Sequence, residues 1–112
     1  MDVSTREVGA VTVVEIRGNV DGLTADKLLE HFTAHVSAGR VRLVADCAAL
    51  DYTSSAGLRA LLGTVKAARQ KGGDLRLAAV RPPVLKVLQL SGFTGILKSF
   101  ADVQGAVDSY AA

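Results

Sequence analysis

The stretch VRLVADCAALDYTSSAGLRALLGTVKAARQKGGDLRLAAV, residues 41–80, decides the fold. It opens on a largely apolar run, 41–46, that predicts a buried strand, and its middle predicts a helix from Ser55 to about Lys71 with apolar side chains at helical spacing. Two glycines end that helix, and the alternation in DLRLAAV, 74–80, predicts a second strand. A strand, a helix and a strand in this order indicate a βαβ unit with parallel strands.

The segment before this unit extends the alternation. VTVVEIR, 11–17, is apolar on both faces and predicts an interior strand, with a weaker hairpin partner at 3–7. A helix is expected to follow, with Thr24 as its N-cap and with Leu23 stapled onto Leu28. An antiparallel hairpin is therefore expected to begin the sheet.

The segment after the unit continues the same pattern. Pro82 and Pro83 predict the start of a third helix, because their missing N–H groups matter least there. A short strand at 96–100 and a last helix at 102–110 complete the chain. The sequence therefore predicts one α/β domain, 1–112, with a mixed, mostly parallel sheet of about five strands and about four helices.

The composition restricts the classes of function. Hydrophobic residues make up 49% of the chain and charged residues 21%, which is typical of a single globular domain. The formal net charge is +2 and the basic residues are scattered, so nucleic acid is not expected as a partner. No run approaches the roughly 18 apolar residues of a membrane span, and no signal pattern is visible, so we expect a cytoplasmic protein without membrane contact. The single cysteine, Cys47, is expected to be a buried small residue rather than a reactive thiol.

Polar residues follow two strands of the predicted sheet. Asp21 lies in the loop after strand 11–17. Ser54 ends the loop 47–54 that is expected after strand 41–46, and Ser55 opens the next helix. The C-terminal ends of parallel strands meet at one edge of a sheet. We therefore expect Asp21 and the two serines to be neighbours on that edge.

Two interpretations of Ser55 remain open from the residues alone. At or beside the N-cap of the helix, its hydroxyl can accept a hydrogen bond from an unpaired backbone N–H. A helix start also stabilises a phosphate, because it offers free N–H groups and the positive end of the helix dipole. The position can therefore be a structural cap or a phosphorylation site.

A resemblance bears on this choice. The motif DYTSSAGLRALL, together with GNVDGLTADKL and KGGDLRLAAVRPPVLKVLQLSGF, resembles the bacterial anti-sigma factor antagonists of the STAS domain family over almost the whole chain. The resemblance implies a regulatory protein rather than an enzyme, with no cofactor. The implied partner is an anti-sigma factor that is also an ATP-dependent serine kinase, and a phosphoserine phosphatase would reverse the modification.

The resemblance also implies the site residues. The serine that opens the second helix, Ser55, corresponds to the phosphorylated residue, with Ser54 as second choice, and Asp21 corresponds to the family's acidic residue in the first loop. A common form of the motif is Asp-Ser-Ser-Gly-Leu, so that Ser54 and Ala56 here replace an aspartate and a serine. The implied partner-binding residues are Asp21, Thr53, Ser54, Gly57, Leu58 and Arg59.

Three other interpretations concern the same residues, the histidines and the fold. The segment 53–57 approximates the G-x-S-x-G turn of esterases, but Thr53 replaces the first glycine and both histidines lie upstream. His31 and His35 have the i, i+4 spacing of a metal pair but lack an HExxH motif, so no metal site is expected. The alternative that keeps the fold is a STAS subunit that docks in a transporter or signalling complex without phosphorylation.

Overall fold

The computed structural model describes residues 1–111 and contains six strands and four helices. In chain order the elements are β1 (Asp2–Val8), β2 (Val11–Val20), α1 (Ala25–Ser37), β3 (Arg42–Asp46), β4 (Leu50–Thr53), α2 (Ser55–Gln70), β5 (Asp74–Ala78), α3 (Pro82–Leu90), β6 (Ser99–Phe100) and α4 (Val103–Asp108). The predicted α/β fold, with its four helices, is confirmed. The last residue of the predicted domain, Ala112, lies outside the described residues.

The sheet has the mixed topology that the sequence predicts. Its strand order is β1-β2-β3-β5-β6, with β4 paired to β2 off this path. The β1–β2 hairpin is antiparallel, and the β2–β3, β2–β4, β3–β5 and β5–β6 pairs are parallel. The parallel strands therefore bring the loops at their C-terminal ends to one edge.

Strand β4 is the element that the sequence analysis missed, since its residues were expected to form a loop. It pairs with the end of β2, where Val20 lies opposite Thr53, and the register shifts between Gly18 and Asn19. Only Leu50 and Thr53 of its four residues are buried, so it lacks the alternation that identifies a strand. β6 is shorter than predicted, because the chain before it turns back on itself through hydrogen bonds from 96 and 97 to the carbonyl of Phe93.

The core lies on both faces of the sheet. Helices α1, α2 and α3 contribute to the larger cluster, in which Phe32, Leu58 and Leu88 pack against strand residues such as Ile16. Helix α4 packs with its Ala106 against the other face of the sheet. Val13 of β2 and Val44 of β3 point to that face, because successive strand residues alternate between the two faces. A sheet covered on both faces explains why its central strands are apolar on both sides.

The C-terminal segment is fixed at the N-terminal ends of the strands. The hydroxyl of Tyr110 lies 2.7 Å from the carbonyl oxygen of Leu43 and 2.8 Å from that of Asp74. The guanidinium of Arg76 stacks 4.0 Å from the centre of the Tyr110 ring, and it and Arg69 bind the Asp74 carboxylate at 3.2 Å and 3.0 Å. Burial raises the pKa of the Tyr110 phenol, which stays protonated as a donor.

Candidate functional site

A main-chain hydrogen bond joins the two loops that carry the predicted site. The N–H of Ser54 donates to the carbonyl oxygen of Val20 over 2.8 Å, at the point where β2 and β4 both end. Asp21 follows Val20 and Ser55 follows Ser54, so the structure brings these parts of the predicted site together on one edge of the sheet.

The two adjacent serines have different environments. Ser54 is the N-cap of α2, has extended backbone angles, and accepts a hydrogen bond of 3.3 Å from the N–H of Gly57 through its Oγ. Ser55 is the first residue of the helix and is exposed. Within residues 1–111 its hydroxyl has no hydrogen-bond partner. Of the two interpretations of Ser55 that the sequence left open, the structural cap does not apply: Ser54 is the cap, Ser55 lies beside it, and the Ser55 hydroxyl has no partner among residues 1–111.

Three of the residues predicted to contact a partner are buried. Thr53 is 1% exposed and Leu58 0% exposed, and Gly57 is buried between them. A Cβ on Gly57 would lie 2.1 Å from Oγ1 of Thr53 and 2.9 Å from Cγ1 of Val20. Thr53, Gly57 and Leu58 thus pack α2 onto the ends of β2 and β4, and their contact with a partner stays a prediction.

Asp21 organises the first loop. Its Oδ1 accepts hydrogen bonds from the N–H of Leu23 at 2.9 Å and from the N–H and hydroxyl of Thr24, both at 3.1 Å. The Thr24 hydroxyl in turn accepts from the Asp21 N–H at 3.0 Å. The bond from Leu23, followed by that from the Thr24 hydroxyl, lowers the pKa of the Asp21 carboxyl, which is fully exposed and ionised at neutral pH.

This turn confirms the predicted N-cap position of α1 but not the contacts expected there. Thr24 occupies the N-cap position but makes no side-chain cap bond into the helix, because its hydroxyl is bonded to Asp21. Leu23 does not staple onto Leu28: its side chain points outward and is 87% exposed, while Leu28 is buried. The sequence analysis therefore missed Leu23 as an exposed apolar residue next to the site, and its position two residues after Asp21 in the same loop was the available signal.

We use the name "rim" for the surface formed by Asp21, Leu23, Ser54, Ser55 and Arg59. A groove of about 190 Å³ runs beside it between α1 and α2. Its lining combines small side chains with one charge from each helix, and consists of Gly22, Ala25, Asp26, Leu29, Ala56, Arg59 and Ala60. The rim thus offers hydroxyl, carboxylate, guanidinium and apolar groups to solvent, next to a shallow groove.

The histidine pair is engaged elsewhere in the fold. Nε2 of His31 lies 3.0 Å from the hydroxyl of Thr5 on β1, and Nδ1 of His35 accepts a hydrogen bond of 2.9 Å from Nε of Arg40. Residues 1–111 contain no group of three or more potential metal ligands. Cys47 is buried, and desolvation raises the pKa of its thiol to about 12, so it is not a reactive thiolate at neutral pH.

Among the helices described for residues 1–111, none combines the length and apolar character needed to span a membrane.

Comparison with known proteins identifies the family. Residues 2–106 match the STAS domain family. BtrV of Bordetella bronchiseptica, named as an anti-sigma factor antagonist, is 35% identical over 96 residues, which are 86% of this chain and 83% of the relative. An anti-sigma factor antagonist of Thermotoga maritima has a similar structure, with a TM-score of 0.92, 16% identity, and coverage of 98% of this chain and 95% of that chain.

The phosphorylated form of SpoIIAA, a Bacillus cell fate determinant, is also similar in fold. Its TM-score is 0.74 at 19% identity, with coverage of 96% of this chain and 98% of that chain. The match in sequence extends over almost the whole chain and the match in fold over all of its elements. The chain therefore belongs to the STAS domain family, and its sequence relatives are named anti-sigma factor antagonists.

Proposed function

We propose that this protein is an anti-sigma factor antagonist controlled by phosphorylation of Ser55. In the unphosphorylated state the rim binds an anti-sigma factor that is also an ATP-dependent serine kinase, and a sigma factor is released from that kinase. The kinase then phosphorylates Ser55 and the complex dissociates. A phosphoserine phosphatase restores the binding form.

The observation that carries the proposal is the difference between the two serines. The Ser55 hydroxyl is exposed and has no bond within residues 1–111, so a kinase can reach it without disturbing the fold. The Ser54 hydroxyl is half-buried and caps α2, and its phosphorylation would remove that cap. These environments support Ser55 over Ser54 as the phosphorylated residue. The phosphorylated form of SpoIIAA supports control by phosphorylation, without selecting either serine.

The effect of the phosphate on binding is electrostatic. Phosphorylation adds about −1.5 to −2 charges at neutral pH, which brings the formal net charge of +2 close to zero. More important, it places a strongly hydrated dianion in the contact surface beside the ionised Asp21. A loss of about 3 kcal/mol from its desolvation lowers affinity about a hundredfold. Because the change is local, the domain does not need to refold.

The test uses four forms of the protein as bait in cytoplasmic extract with ATP: wild type, Ser55→Ala, Ser55→Asp and Ser54→Ala. We expect a serine kinase to be recovered with wild type, Ser55→Ala and Ser54→Ala but lost with Ser55→Asp. Mass spectrometry is expected to locate phosphate on Ser55 in wild type and in Ser54→Ala. The Ser54→Ala variant is the matched control, because it removes the adjacent hydroxyl and leaves the Ser55 hydroxyl in place.

Two results would contradict the proposal. Phosphate on Ser54 in the wild type would show that the N-cap serine, and not Ser55, is the modified residue. Recovery of the same partners by all four baits, with no phosphate on any of them, would favour the alternative of a STAS subunit that docks constitutively in a transporter or signalling complex.

A further inference from the structure

Arg59 lies one helical turn beyond Ser55 on the exposed surface of α2. Both residues are exposed, and they are four positions apart in the helix. Side chains at i and i+4 share one face of a helix, with Cβ atoms about 5–6 Å apart. Because helical side chains lean toward the N-terminus, a side chain at position 59 can reach toward Ser55. Arg59 also lines the groove between α1 and α2.

The guanidinium of Arg59 is not committed to another group. Five other arginines are bonded to protein groups, namely Arg17, Arg40, Arg69, Arg76 and Arg81. Arg59 has no hydrogen bond or ion pair in the part of the chain that the structure describes, although Asp26 lines the same groove. Its five N–H donors are therefore available to a new acceptor.

We propose that Arg59 binds the phosphate of phosphorylated Ser55 within the same chain, and that this removes Arg59 from the partner. The inference rests on the proposed function, since it concerns the regulation of the same serine. In the unphosphorylated state Arg59 offers its guanidinium to a carboxylate of the partner across the groove. In the phosphorylated state the planar guanidinium of Arg59 donates two parallel hydrogen bonds to two phosphate oxygens.

The charges of the rim support this arrangement. Asp21 and Arg59 are its charged side chains, so its formal charge is zero before modification. A phosphate on Ser55 makes the rim roughly −2. Arg59 is the cation among the rim residues, and the N-terminal ammonium is a second positive charge, close enough to contribute, after the hydrogen bond from Leu23, to the lowered pKa of Asp21. One modification therefore changes two features of the surface: it adds a dianion and it occupies the arginine.

The experiment measures the second pKa of the phosphate by phosphorus NMR titration. Phosphoserine is introduced at position 55 by genetic encoding, so that no kinase is needed. A bound arginine favours the dianion, and we expect Arg59→Gln to raise the phosphate pKa by about half a pH unit. Arg59→Lys, which keeps the charge but loses the fork, is expected to give a smaller rise.

Lys66→Gln is the matched control. It removes one positive charge from an exposed position of the same helix, about 16 Å further along from Ser55. We expect it to leave the phosphate pKa unchanged. Equal titration of the wild type, Arg59→Gln and Lys66→Gln proteins would overturn the inference.

A binding measurement separates this inference from the proposed function. With the recovered kinase, Arg59→Gln is expected to weaken binding of the unphosphorylated protein about tenfold, and Lys66→Gln to leave it unchanged. If Ser55 is phosphorylated in cells but Arg59→Gln leaves both the titration and the binding unchanged, only the role of Arg59 fails. If the titration shows the pairing but no kinase modifies Ser55, the proposed function fails and the pairing of the two residues stands.

Discussion

The side chain of Thr53 occupies the position that a methyl group on Gly57 would need. A Cβ there would lie 2.1 Å from Oγ1 of Thr53 and 2.9 Å from Cγ1 of Val20, and both neighbours are buried. The glycine thus allows the first turn of α2 to lie directly against the ends of β2 and β4. The position of the Ser55 hydroxyl depends on this contact.

Gly57→Ala is expected to lower the free energy of unfolding by about 1–3 kcal/mol, because the methyl group overpacks a closed contact. Urea unfolding measures it. Gly63→Ala on the same helix is the control: its Cβ would lie 3.3 Å from Cδ1 of Leu29, the end of a half-buried side chain that can move. We expect Gly63→Ala to unfold at an unchanged or higher urea concentration. A Gly57→Ala protein as stable as the wild type would contradict the close contact.

The second prediction separates the two serines by stability. Ser54→Ala removes the cap on the Gly57 N–H and is expected to lower the free energy of unfolding by about 1 kcal/mol. Ser55→Ala removes an exposed, unbonded hydroxyl and is expected to change it by less than about 0.5 kcal/mol. Ser54→Asp restores a capping oxygen and should recover the stability that Ser54→Ala loses. The reverse order of the two alanine variants in urea unfolding would assign the cap to Ser55.

The sequence predicts part of the site and not the rest. The sequence placed both serines at the start of α2 and placed Asp21 on the same edge, because strand order and helix start follow from apolar periodicity. It could not decide between two adjacent hydroxyls, since either serine can cap and only the backbone angles of Ser54 select it. Thr53, Gly57 and Leu58 were assigned to the surface because a motif gives spacing but not burial.

The sequence-based predictions that failed for local structure have related causes. Strand β4 was missed because it has only four residues, and its two exposed residues are adjacent, so that buried and exposed side chains do not alternate. Leu23 was placed against Leu28 because the pattern of a hydrophobic staple fits the sequence. The Asp21 turn instead turns Leu23 outward.

The third prediction concerns this exposed leucine. Leu23→Ser is expected to change the free energy of unfolding by less than about 0.5 kcal/mol, because the side chain is 87% exposed. It is expected to weaken binding to the anti-sigma factor about ten- to a hundredfold, since burial of a leucine contributes about 1.5–3 kcal/mol. Leu90→Ser, at a residue that is 78% exposed at the end of α3, is the matched control and is expected to bind normally. Equal binding by both variants, measured by calorimetry, would exclude Leu23 from the interface.

The fourth prediction concerns pH. Burial, with smaller effects of His31 and Arg40 and against an opposing effect of Glu7, lowers the pKa of His35 below its usual 6.5. The unfolded chain therefore binds a proton at His35 more readily than the folded protein. The His35 contribution to stability is full above about pH 6.5 and is lost as the pH falls from there toward the lower folded pKa.

The measurement is urea unfolding of wild type and His35→Gln at several pH values. We expect the wild type to lose stability between about pH 7 and pH 5, and His35→Gln to lose clearly less in that interval. Asp21→Asn is the control, because the pKa of Asp21 is lowered from 3.8 and its contribution is lost only as the pH falls below about 4. A wild type whose stability is constant from pH 7 to pH 5 would contradict the burial effect at His35.

The hydrogen bonds of Tyr110 to the carbonyl oxygens of Leu43 and Asp74 hold the C-terminal segment away from the rim, which determines where a label can be placed. The carbonyl groups that bind it lie at the starts of β3 and β5, on the edge of the sheet opposite the rim. Met1 lies at the other edge, where its Cα would be 3.8 Å from a Cβ on Gly18, two residues before Val20. A fluorophore or affinity handle fused ahead of Met1 would therefore crowd Asp21 and Ser55. The same group fused behind residue 111 would leave the rim accessible to a kinase.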